Sequence, residues 1–170
     1  MVEGISQMQA LYHPEQDRIL FRVNSIDKRE FRFWITRRFT VLILKVLKDH
    51  MDSDPDISTQ ETPDTRQAVK TFKQEKAIQE ANFEQKFTEG SNDLPLGEDV
   101  LLAFKLTYKV EGESLHMGIQ PKSGQGINMV LNRKINSSLM QLIVTAAKKA
   151  DWKLNQPVRR QAGQKGRVIN

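Results

Sequence analysis

Apolar and polar positions alternate with period two in six short stretches of this chain, and the stretches fall into two sets of three. Met8, Ala10 and Tyr12, then Ile19, Phe21 and Val23, then Phe31, Phe33 and Ile35 form the first set. Phe104, Leu106 and Tyr108, then Leu115, Met117 and Ile119, then Ile127, Met129 and Leu131 form the second. Period two marks strands with one buried face. A constant offset of 96 residues lays 5–51 over 101–147 with no gap. Identities are few, Tyr12 with Tyr108, Glu15 with Glu111 and Arg37 with Arg133, so the hydrophobic register carries the comparison.

The segments between these stretches place turns and helices. Residues 14–17 and 25–28 have turn compositions, leaving strands near 5–13, 18–24 and 30–37. Thr40 is placed to cap a helix over 41–50, whose apolar positions 41, 42, 43, 44, 46 and 47 predict burial on more than one side. In the second set, strands fall near 100–111, 114–121 and 126–133. Asn136 or Ser137 caps a helix over 138–150, and Trp152 folds back on its end.

Between the sets, 52–63 reads as a linker, 64–87 as a helix and 88–99 as a second linker. Val69, Phe72, Phe83 and Phe87 share one stripe of that helix, but Lys76 and Glu80 interrupt it. Such a helix is either exposed and anchored at its two ends or binds a partner. The expected fold class is α+β: two pseudo-symmetric βββα repeat units with antiparallel sheets backed by helices, plus a helical insert. The divisions are 1–51, 52–99, 100–152 and a basic, flexible tail 153–170, in one compact domain overall. One continuous sheet and two facing sheets fit the pattern equally.

Charge changes this picture more than composition does. The 170 residues carry a net +5, but residues 1–50, 51–99 and 100–170 carry +3, −7 and +9. An acidic insert thus separates two basic units, which suggests a polyanion partner. With no cysteine there are no disulfides and no thiolate chemistry. The longest apolar run, 39–47, is too short for a bilayer, and the start lacks a secretory pattern, so a soluble, cytoplasmic protein is expected.

Catalytic patterns are missing. His13, His50 and His116 have no metal-ligand spacing, there is no phosphate-binding Gly-Lys-Ser/Thr loop, and residues 123–126 lack the strand-to-helix setting of a dinucleotide site. No enzymatic activity, cofactor or metal is expected. Two constellations remain as binding candidates. Arg37-Arg38 and Arg133-Lys134 each stand where a strand gives way to a helix, where free N–H groups favour an anion. Alternation also sends Leu20, Arg22, Arg32 and Trp34 to the outward face of the first sheet, a ring among arginines suited to stacking bases. The alternative is that Trp34 and Leu20 bury against the second unit, the insert helix or another subunit. The corresponding second face carries Lys105, Thr107, Lys109, His116, Asn128 and Val130.

The run from Leu11 to Arg22 (Leu-Tyr-His-Pro-Glu-Gln-Asp-Arg-Ile-Leu-Phe-Arg), followed by Phe31 to Phe39 (Phe-Arg-Phe-Trp-Ile-Thr-Arg-Arg-Phe), resembles conserved hypothetical proteins of proteobacteria. The resemblance covers about the first 45 residues and implies no functional residues. Repeated sheet-plus-helix units are also similar to those of PUR and Whirly single-stranded nucleic-acid binders, although those have four strands each. The leading expectation is a non-enzymatic module binding single-stranded nucleic acid. Arg22, Arg32, Arg37, Arg38, Arg133, Lys134 and the tail residues Arg159 and Arg160 would supply charge, and Trp34 stacking. The competing expectation is a protein-interaction or assembly module, a homodimer with the Trp34 face as its interface. On the first expectation, the acidic insert would mask the basic units in the free protein by occupying a polyanion's place.

Overall fold

β1 (Ile5–His13), β2 (Arg18–Ser25) and β3 (Glu30–Ile35) run antiparallel in sequence order, because each inner-face residue meets an apolar one across the ladder. Ile19 faces Ile35, Phe21 faces Phe33 and Val23 faces Phe31. The coordinates, a computed structural model, describe residues 4–80, 86–89 and 93–154. The expected third strand is shorter than 30–37, since Thr36 turns the chain into α1 (Arg37–Asp52) by accepting Phe39 N–H on its side chain. Asn132 does the same for α4 (Arg133–Lys149), accepting Ile135 N–H at 2.9 Å. The expected caps Thr40, Asn136 and Ser137 are therefore corrected. All three lie buried inside their helices.

The expected strand over 100–111 breaks into two. β4 (Leu101–Leu102) pairs in parallel with β3. Ala103 N–H then goes to Trp34 O at 3.0 Å and Phe104 N–H to Gln120 O at 2.9 Å. From there β5 (Lys105–Glu111) joins the antiparallel ladder of β6 (Ser114–Gln120) and β7 (Ile127–Leu131). One extended run thus serves two sheets, of four and three strands, a corner made by a strand that changes partners. The fold is α+β.

The registers correct the ungapped overlay in its first strand. Leu115 faces Leu131 and Ile119 faces Ile127, which keeps the 96-residue offset for the second and third strands. Tyr12, however, faces Ile19, whereas Val110 and not Tyr108 faces Leu115. The offset there is 98, because a four-residue turn (14–17) stands against a two-residue turn (112–113). A strand accepts a shift of two without exchanging its faces.

One core joins both sheets to α1 and α4. Phe21 and Phe33 are almost wholly buried there, each worth roughly 1.5–3 kcal/mol of transfer free energy. The two helices are antiparallel: Asn136 at the start of α4 meets Leu47 and His50 near the end of α1, and Arg37 at the start of α1 meets Trp152 beyond the end of α4. Trp152 also gives its Nε1–H to Asp17 at 3.0 Å and sets its ring edge-on to Tyr12. Contrary to expectation, α1 is not buried on several sides, because Val41 and Leu42 are 45% and 43% exposed.

The insert differs as well. A short helix α2 (Pro55–Ser58), capped by Asp54, interrupts the expected first linker. Helix α3 is described over Pro63–Glu80, residues 81–85 with Phe83 lie outside the described residues, and Lys86 and Phe87, expected within the helix, are not helical. Phe72 is 66% exposed, so that position of the stripe does not anchor the helix. Lys70 and Lys73 tie the helix to Asp52, Asp54 and Asp56, and Gln74 reaches Met140 on α4. Among the described residues no helix is long and apolar enough to cross a membrane.

Candidate functional site

The outward face of the four-stranded sheet is ordered in rows by the registers. Gln7, Asn24 and Glu30 form one row, and Gln9, Arg22 and Arg32 the next. Leu11, Leu20, Trp34 and Leu102 form a third, directly opposite one another across all four strands. Leu11 and Leu102 are 42% and 41% exposed, and Leu20 and Trp34 are half-buried. The Trp34 ring meets the edge of His13 at 5.2 Å.

Most of the cations expected to contact a polyanion are engaged within the chain. Arg22 bonds the buried carboxylate of Glu30 through Nε (2.9 Å) and Nη2 (2.8 Å). Its Nη1 meets Glu89 at 2.9 Å, and its guanidinium lies 4.4 Å from the centroid of the Phe87 ring. Arg32 donates to the carbonyl of Glu98. Residues 86–89 thus cross the two polar rows, and among the described residues no segment crosses the apolar row.

The helix-start cations are drawn to opposite ends of the antiparallel pair, about 24 Å apart for a 16-residue helix. Arg37 donates from Nε to Trp152 O at 3.0 Å. At the other end Asp54 supplies the anion that the start of α4 favours, with Arg133 Nε 3.6 Å from its carboxylate and Lys73 at 2.7 Å. Burial pushes the Asp54 carboxyl up, but Lys73, the Asp56 N–H and Arg133 outweigh it and leave it below the usual range. Lys134 lies 3.5 Å from Glu80. Arg38 has no ion pair among the described residues, and Arg159 and Arg160 lie outside them.

The three-stranded sheet presents an open face. Lys105, Thr107, Lys109, Asn128 and Val130 are exposed and His116 is partly so. Gly118 lies between Thr107 and Asn128 in one cross-strand row, at the floor of a shallow hollow of about 450 Å³. Lys109 and His116 both pair with Glu111, whose carboxyl is held below its usual range chiefly by the Lys109 ammonium.

Gln7, Asn24, Glu30, Asp54, Phe87 and Glu89 were missed from sequence. Alternation could have placed Gln7, Asn24 and Glu30 on the outward face beside Arg22. For Asp54, Phe87 and Glu89 no local signal existed, since their partners lie far away along the chain. Compared with family models, with curated proteins and with solved structures, the chain matches none.

Proposed function

We propose that the protein is a non-enzymatic assembly module that pairs with a second copy of itself through the Trp34 face of the four-stranded sheet. The observation that carries this reading is the row Leu11, Leu20, Trp34 and Leu102, four large apolar side chains aligned across the sheet away from the core. At about 4.8 Å per strand the row spans roughly 15 Å, enough for the apolar centre of a contact. Its rim carries both signs, Arg18 and Arg32 on the strands and Glu98 and Asp99 before β4. A two-fold contact requires such a self-complementary border.

Sedimentation velocity over about a hundredfold concentration range is expected to show a reversible dimer. Leu11→Lys with Leu102→Lys, two partly exposed positions that leave the core untouched, is expected to weaken it at least about tenfold. A wild type that stays monomeric throughout, or a double variant that pairs as well, removes the reading.

A second reading rests on the open basic face of β5, β6 and β7. Lys109 lines the Gly118 hollow and Lys105 stands exposed on the same face of β5, with no chain segment across them among the described residues. Here the partner is single-stranded nucleic acid, on the second sheet instead of the first. Affinity for a labelled oligonucleotide is expected to fall steeply with salt and to drop further in Lys105→Ala with Lys109→Ala. Salt-independent binding, or none, removes this reading and leaves the first standing.

A further inference from the structure

Residues 86–89 cross the outer face of β1 and β2 without joining the sheet, and the side chains that hold them read an extended backbone. Gln7 and Asn24 stand opposite each other in the register, with their amides bonded at 3.2 Å. Gln7 donates from Nε2 to Lys86 O at 3.2 Å and accepts Thr88 N–H on Oε1 at 3.0 Å. Asn24 donates from Nδ2 to Thr88 O at 3.1 Å. An extended chain points those three backbone groups to one side, so the amide pair does what a neighbouring strand would do.

The side chains at 87 and 89 share a face, and both meet Arg22. Its guanidinium covers the Phe87 ring and bonds the Glu89 carboxylate. Glu30, only 4% exposed, fixes Arg22 from beneath with two contacts, so the guanidinium is held in place whatever lies above it. Nothing in this recognition depends on the side chains at 86 and 88.

We infer that this surface is a docking site for an extended segment of another protein, one with an aromatic residue followed two positions later by a carboxylate, and that residues 86–89 occupy it in cis. The hold on the segment is polar and exchangeable. Lys86, Thr88 and Glu89 are exposed, and Phe87 is not part of the core. A groove of about 1150 Å³ opens beside it between β1 and α4, with Met8, Ala10, Leu142 and Thr145 in its walls. That groove has room for residues flanking the docked ones. A tethered segment competes at an effective concentration that is roughly millimolar, so the free chain masks its own site until a better ligand arrives. The site is separate from the Trp34 row and from the second sheet, and it stands or falls independently of both readings above.

The probe is a fluorescein-labelled synthetic peptide, Gln-Lys-Phe-Thr-Glu-Gly, titrated by fluorescence anisotropy. The variant Phe87→Ala with Glu89→Ala vacates the site and is expected to bind the peptide at least about ten times more tightly than wild type. Adding Gln7→Ala to that variant is expected to abolish the gain. Gln7 is chosen because it is partly exposed, whereas Arg22 balances a buried carboxylate. A peptide with alanine in place of phenylalanine should bind no better to the vacated variant than to wild type. Equal affinity of wild type and vacated variant, or binding indifferent to Gln7, overturns the inference.

Discussion

Asn136→Ala lowers the free energy of unfolding by about 2–3 kcal/mol in urea denaturation, without loss of the overall fold. Asn136 is fully buried in the first turn of α4, where its Nδ2 donates to Leu47 O at 3.0 Å and to His50 Nδ1 at 2.7 Å. Because Nδ1 accepts, the imidazole proton sits on Nε2, which donates to Glu113 O at 3.1 Å. Truncation removes the bond to His50 and strands Nδ1 where no water reaches, a cost of about 1–3 kcal/mol, and leaves a small void. Asn136 Oδ1 has no partner among the described residues, so losing it returns part of that cost. A loss below about 0.5 kcal/mol would mean that water enters and replaces the amide.

The same pair sets a pH dependence. Burial holds the His50 imidazole below its ordinary value of 6.5, and the nearby Arg133 charge acts the same way, against the Glu113 carbonyl and Asp54, which favour the proton. Below pH 6.5 the unfolded chain therefore binds a proton at His50 that the folded chain refuses. This contribution to stability is complete above that pH and is lost as pH falls toward the folded value, with a slope approaching about 1.4 kcal/mol per pH unit. Denaturation curves from about pH 8 to pH 5 should show the decline in wild type and a flatter course in His50→Gln. Equal slopes in the two proteins would place the proton uptake elsewhere.

That pair also shows where the sequence stops being informative. The inner faces of β2, β3, β6 and β7 were legible because period two is a local property and all twelve expected inward residues are buried. Helix starts were misplaced by four or five residues because the first turns open on Arg37-Arg38 and Arg133-Lys134 and hold one apolar residue each, Phe39 and Ile135, too few to show a period. Only the caps Thr36 and Asn132 mark them. The shift of the first strand was hidden for a related reason. Leu106, Tyr108 and Val110 all lie on one face of β5, so an offset of 96 and one of 98 fit the alternation equally well.

The candidate site was half legible. Alternation placed Arg22, Arg32 and Trp34 on one face, but the apolar row appeared only once the register aligned Leu11 and Leu102 with Leu20 and Trp34. The cations pointed to a polyanion because a charge reads as free until its partner is known. Asp54, Glu80 and Glu89 lie in the acidic insert, and they answer Arg133, Lys134 and Arg22. The −7 of that insert is thus partly an internal counter-charge. Arg22 and Arg32 on the first sheet thus have partners within the chain, and the apolar row is exposed at Leu11 and Leu102.

Two glycines in the second half separate a steric effect on the backbone from one on side chains, and Gly126→Ala is expected to cost about 2–3 kcal/mol or more. Gly126 leads into β7 beside the end of β6, and a Cβ there would stand 2.0 Å from Ile119 O and 2.8 Å from the Gln120 Cα. Neither atom can retreat without parting the β6–β7 ladder, where Ile119 faces Ile127 across two buried side chains. At Gly118 the added carbon would meet Thr107 Oγ1 at 2.5 Å and Asn128 Oδ1 at 2.7 Å, the ends of side chains on exposed residues. Those rotate into solvent, and a strand-interior glycine gains from a side chain, so Gly118→Ala should change stability by less than about 1 kcal/mol in either direction. Paired urea denaturation of the two variants decides the matter. Similar costs at both sites would mean that Thr107 and Asn128 are locked in place, which only a structural role for the Gly118 hollow would explain.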